Sequence, residues 1–148
     1  MLTIQLLHPQ ILSALARAGH SSKVLIADGN YPASHTLGPR GELVSLQLSP
    51  GLPTVVQVLE ALLSAVPVEA AQTMDYAREG PYGLKKDPPV WAQYRAAIKR
   101  AGLKLALDPV ERFAFYDAVA SPQHVLTIQT ADQQIYANLL LTIGVRRH

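Results

Sequence analysis

Residues 19–32 read Gly19-His20-Ser21-Ser22-Lys23-Val24-Leu25-Ile26-Ala27-Asp28-Gly29-Asn30-Tyr31-Pro32. Lys23 to Ala27 is a short, nearly continuous apolar run, which predicts a strand covered on both faces. Asp28 to Pro32 then breaks into a loop, because Gly, Asn and Pro all favour turns over a continued strand. Upstream, Pro9 to Ala18 sets Ile11, Leu12, Leu15 and Ala16 on one helical stripe, with proline in the tolerated first turn. Gly19 is the expected left-handed cap of that helix.

The same alternation continues along the chain. Leu43 to Leu48 reads as a strand, Pro53 to Val66 as an amphipathic helix and Val68 to Met74 as a strand. Asp75 to Pro89 is rich in Gly, Pro and charge and reads as a loop or surface excursion. A helix follows over Trp91 to Ala101, ended by Gly102. Leu103 to Leu107 reads as a strand, Pro109 to Ala120 as a short helix, and His124 to Thr130 and Asn138 to Val145 as the last two strands. Strands alternating with helices predict an α/β fold: three layers, a mostly parallel sheet flanked by helices.

Composition bounds the function. The 148 residues fit one domain spanning 1–148. With 49% hydrophobic residues the chain is not intrinsically disordered. Only 16% of residues are charged, against a usual share of about 25%, a mild sign that some of the surface is covered by self-assembly. A net charge of +2 is too small for binding driven by nucleic-acid phosphates, although Arg95, Lys99, Arg100 and Lys104 cluster. The absence of cysteine excludes disulfides and thiolate metal sites, and the five histidines show no metal-ligand spacing. No apolar run approaches the ~20 residues of a membrane span, and MLTIQLLHPQ does not read as a signal peptide. The expectation is a soluble cytoplasmic protein without metal, membrane or nucleic-acid partner.

Fingerprints for nucleotides, phosphate loops, nucleophile elbows and zinc are missing. Candidate chemistry sits instead at strand ends, where open α/β sheets place ligands. His20 follows a helix stop, Asp28 ends a buried strand, and Asn138 begins another just after Tyr136. Taken singly, each has a plain structural reading. His20 could cap a helix, Asp28-Gly29-Asn30 could be an Asx turn, and Tyr136-Ala137-Asn138 an ordinary turn.

In combination they say more. Gly19-His20, Asp28-Gly29-Asn30-Tyr31-Pro32-Ala33, Arg112-Phe113-Ala114-Phe115-Tyr116, Tyr136-Ala137-Asn138 and Ile143-Gly144-Val145 together resemble the RbsD/FucU family of D-ribose pyranases and L-fucose mutarotases. The resemblance covers nearly the whole chain in the family's order. Arg112 to Tyr116 looks like the fucose mutarotase branch, while Tyr136-Ala137-Asn138 is the triplet of ribose pyranases. Asn30 stands where many fucose mutarotases carry a histidine, and His35 lies in the same loop at another offset.

The resemblance implies a cofactor-free isomerase that interconverts the anomers of a free monosaccharide, most like L-fucose. It implies His20 as proton donor, Asp28 orienting the sugar, and Arg112 offering a fork of donors. Tyr136, Asn138 and the backbone of Ala137 are implied as sugar contacts, and Tyr116 as a second acid/base or an aromatic wall. A D-ribose pyranase and a non-catalytic monosaccharide-binding protein are the alternatives.

One geometric consequence follows. Five residues at ~3.3 Å each separate the two ends of the strand carrying His20 and Asp28 by roughly 16 Å, too far for one monosaccharide to bridge. Either the loop after Gly19 folds back, or His20 of one subunit meets Asp28 of another. The low charge favours the second option. The resemblance implies a ring-based homo-oligomer, a decamer, with sites between subunits.

Overall fold

A computed structural model of the chain describes residues 1–147; His148, one of the five histidines, lies outside the described residues. The elements in chain order are α1 (Pro9–Arg17), β1 (Lys23–Ala27), β2 (Glu42–Ser45), α2 (Val55–Leu63), β3 (Val68–Met74), α3 (Pro89–Arg100), β4 (Leu107–Val110), α4 (Arg112–Val119), β5 (His124–Gln129) and β6 (Leu139–Ile143). The strands form one sheet in the order β2-β5-β1-β6-β3-β4. β1 and β2 pair parallel to β5, and β3 parallel to β4, whereas β6 runs antiparallel to both β1 and β3. Five strands therefore point one way, with β6 reversed in their midst.

The expected three layers are present. Residues of β1 alternate between two cores: Val24 and Ile26 pack with α1, α2 and α3, while Leu25 and Ala27 pack on the other face with Phe115 and Val119 of α4. β1 is buried on both faces because each has its own helical cover, as its apolar run requires. A capping box starts α2. Thr54 Oγ1 accepts from the Gln57 N–H, and Gln57 Oε1 accepts from the Thr54 N–H.

Two local expectations are corrected. The left-handed residue after α1 is Ser21, at φ 66°, and not Gly19. The chain leaves α1 extended at Ala18 and turns over Gly19–Ser22, with the Ser22 N–H bonded to the Gly19 carbonyl at 3.2 Å. Pro109 does not start a helix. It lies in β4, which begins where the sequence reading ends its strand, and α4 starts at Arg112. Proline is tolerated there because β4 is an edge strand and needs no donor on its outer side. By contrast Gly102 takes its left-handed place after α3, at φ 76°.

Buried His124 pins the loop leading to β2. Its Nδ1 accepts from the Gly38 N–H at 3.0 Å, which leaves the Nε2 proton for Thr127 Oγ1 at 2.8 Å. The ring fills the space beside Gly38 and Gly41, where added Cβ atoms would overlap it. Overpacking of this kind predicts that Gly41→Ala lowers unfolding stability by about 1–3 kcal/mol in chemical denaturation.

Burial also lowers the His124 pKa from its usual 6.5. The unfolded chain therefore takes up the proton first, and this histidine's contribution is lost as the pH falls below 6.5 toward the folded value. The melting temperature is expected to drop over that window, and less so in a His124→Gln variant.

Candidate functional site

Strand direction sorts the polar residues onto two opposite edges of the sheet. The C-terminal ends of β1, β3 and β4 lie on one edge, together with the N-terminal end of β6. That edge opens into a cavity of about 640 Å³ whose lining includes Asp28, Tyr76, Tyr82, Arg112, Tyr116 and Asn138. The volume falls within the range of small-molecule sites, roughly 300–1,000 Å³.

Asp28 sits at its base, 3% exposed. Its carboxylate accepts from the Asn30 N–H at 2.9 Å and from Asn138 Nδ2 at 3.0 Å, while its own N–H donates to Asn138 Oδ1 at 2.9 Å. Asn138 thus answers both the backbone and the side chain of Asp28. The Asx turn to Asn30 forms as well, so the structural role and the place in the cavity coexist. Burial pushes the Asp28 carboxyl up from 3.8 to about 6, an effect that the Asn30 amide moderates. A carboxyl titrating there can both take and give a proton near neutrality.

Arg112 is the first residue of α4, whose N-terminus is capped by Glu111 through bonds from the Phe113 and Ala114 N–H groups. One turn on, the Tyr116 ring lies 5.8 Å from the Arg112 guanidinium and 5.7 Å from the Tyr31 ring. Among the described residues Arg112 has no ion-pair partner, so its donors are free for a ligand.

Tyr136 lines the same cavity with a left-handed backbone, at φ 59°. Its hydroxyl donates to the Tyr82 carbonyl at 2.9 Å and accepts from the Ala77 N–H at 3.1 Å. Ala137 is fully buried, and its carbonyl accepts from the Tyr94 hydroxyl.

His20 is not in this cavity. It lies at the other edge of the sheet, before β1, with Nε2 at 3.0 and 3.2 Å from the two carboxylate oxygens of Glu69. Both side chains are about half exposed, at 57% and 43%. Sequence reasoning missed Glu69, although a signal existed. In a parallel sheet the starts of β1 and β3 share an edge, and Glu69 is the carboxylate at the start of β3. Asp75 and Tyr82, which also line the cavity, were passed over as part of an irregular loop. Among the described residues no group of three His, Cys, Asp or Glu side chains is placed to hold a metal, and no helix is long and apolar enough to cross a membrane.

Fold and cleft together define an α/β protein with a small-molecule cavity at the carboxyl edge of its parallel strands. The chain belongs to the RbsD/FucU family: the family model described as "RbsD / FucU transport protein family" matches residues 1–146. It is 35% identical over 146 residues to the fucose mutarotase of Homo sapiens, covering 95% of this chain and 90% of that protein. It is 31% identical over 140 residues to the D-ribose pyranase of Streptomyces coelicolor, covering 95% of each. A solved fucose mutarotase from Streptococcus pneumoniae, crystallised with L-fucose, has the same fold, with a TM-score of 0.81 at 21% identity, covering 99% of this chain and all of that one.

The Asp28 environment gives a direct check. In a carbon-13 NMR titration of the free protein, the Asp28 carboxyl is expected to turn over near pH 6. Asn138→Leu removes a donor to the charged form and is expected to move that midpoint higher.

Proposed function

We propose that the protein is a monosaccharide mutarotase, with L-fucose as its preferred sugar, working by acid/base ring opening in the cavity at Asp28. The carrying observation is a buried carboxyl tuned to about 6 that shares a cavity with an arginine free of ion pairs among the described residues, in a chain 35% identical to a fucose mutarotase.

The chemistry balances with protons alone. A base takes the proton of the anomeric hydroxyl, the bond between the anomeric carbon and the ring oxygen breaks, and an acid protonates that oxygen. The open-chain aldehyde then turns its other face and the steps reverse. Asp28 is suited to hold the sugar through its hydroxyls and to exchange a proton. Arg112 supplies a planar fork of donors to the sugar oxygens, and Asn138 keeps Asp28 in place while facing the cavity. Tyr116 serves as a further acid/base or as a wall for the sugar's apolar face.

His20 completes the site from a neighbouring copy. It is the proton donor of this reading, and its pairing with Glu69 on an exposed edge presents the imidazole outward. At ~3.3 Å per residue, β1 holds Asp28 of the same chain roughly 16 Å away. The assembly we propose is a ring-based homo-oligomer, a decamer, of single-domain subunits in the cytoplasm.

A D-ribose pyranase is the second reading, favoured by the Tyr136-Ala137-Asn138 triplet and by the 31% identity to such an enzyme. Proton NMR saturation transfer between anomeric signals separates the two. With L-fucose the protein is expected to accelerate exchange more than with D-ribose, and His20→Ala to slow it by about 10²–10⁴-fold. Faster exchange of ribose selects the pyranase. Binding without exchange leaves a sugar-binding protein, and no response to either sugar overturns the enzyme reading.

A further inference from the structure

Five of the six tyrosines line the cavity, and two of them, Tyr76 and Tyr82, stand on the irregular segment 75–88. Its first residue bonds to the sheet, the Asp75 N–H donating to the Val110 carbonyl of β4 at 2.7 Å, and a hydroxyl holds the part beyond. Tyr136 bridges its two arms, donating to the Tyr82 carbonyl at 2.9 Å and accepting from the Ala77 N–H at 3.1 Å. The arms also meet directly, with the Leu84 N–H bonded to the Ala77 carbonyl at 2.8 Å. A phenol has one proton to donate, so while Tyr136 holds Tyr82 it donates nothing to a sugar.

Tyr136 is itself held for this purpose. Its left-handed backbone, a costly conformation for a bulky residue, is braced by Trp91 Nε1, which donates to its carbonyl at 3.3 Å. The Tyr76 ring packs edge-on to both Trp91 and Tyr136, with centroids 5.6 and 6.2 Å away, and carries the Arg78 guanidinium 4.1 Å from its own centroid. Inner parts of the segment are thus packed. Tyr82 is different: it lines the cavity yet is 70% exposed, so its ring is not spent on the core. A free aromatic ring at the mouth of this cavity matches the C–H face of a pyranose.

We infer that Tyr82 is a specificity-determining residue of the sugar site, an outer wall against the sugar's C–H face, and that the Tyr136 hydroxyl is the positioning group that holds this wall in place. The inference rests on the proposed function only in taking the cavity to bind a monosaccharide.

The test measures L-fucose on the full-length oligomer in two ways, by calorimetric Kd and by the KM and maximal rate of anomer exchange. Tyr82→Ala is expected to raise Kd and KM about five-fold with the maximal rate kept. Tyr136→Phe, which removes only the hydroxyl, is expected to do the same. Because both changes remove one wall, the double variant is expected to be no weaker than the worse single one.

An unaltered Kd in Tyr82→Ala overturns the inference. So does a double variant whose loss is the product of the two singles, or a Tyr136→Phe protein that loses maximal rate at unchanged KM. Binding without exchange in the wild type removes the mutarotase reading and leaves the wall to be judged on Kd. No binding at all removes both.

Discussion

Asp28 and Asn138 are 110 positions apart and bonded to each other twice. One amide side chain satisfies both the first backbone N–H after β1 and the carboxylate beside it. Only a residue with a donor and an acceptor on one planar group can do this. An aspartate at 138 would set two carboxylates against each other, and a leucine would leave the Asp28 N–H unanswered and take one donor from its carboxylate. Around this pair the strand ends close up. Gln129 donates to the Asp28 carbonyl and Thr130 Oγ1 to the Ala27 carbonyl, joining β5 to the same point. At the base of the cavity these bonds together hold the buried Asp28 carboxyl in one position.

From that point the direction of the strands decides everything else about the site. Because β6 runs against its neighbours, it delivers Asn138 to the edge where β1, β3 and β4 finish. A sixth parallel strand would have delivered its other end. The same arithmetic sends His20 and Glu69 to the opposite edge, where they pair with each other in partial exposure. The chain thus presents its acid/base groups in two places, and the proposed function joins them through a second copy. The division of labour is a property of the sheet.

Much of this was legible in the sequence, for identifiable reasons. β1 and β6 were readable because strands covered on both faces carry apolar runs, β5 because it is rich in β-forming residues, and α2 because its periodicity is strong. Asp28, Arg112, Tyr116, Tyr136 and Asn138 were marked by the resemblance, and the structure places all five around one cavity. The turn after α1 was misread because glycine is the usual left-handed residue, and nothing local shows that Ser21 takes that role. Pro109 was misread as a helix start because edge-strand prolines look the same until the strand order is known. The pairings of Glu69 and of the Tyr136 hydroxyl were out of reach for one shared reason. Their partners are His20, 49 positions away, and Ala77, 59 positions away, and such pairings exist only once the sheet is assembled.

The central claim is that one sugar site draws Asp28 from one subunit and His20 from the next. Co-expressing two differently tagged inactive variants, His20→Ala and Asp28→Asn, and purifying the mixed assembly tests it directly through L-fucose anomer exchange. A mixed assembly contains interfaces at which an intact His20 faces an intact Asp28, so the account predicts that activity absent from each parent returns in the mixture. A mixture that assembles as the wild type does and stays inactive contradicts it, because sites contained within single chains cannot be repaired by mixing.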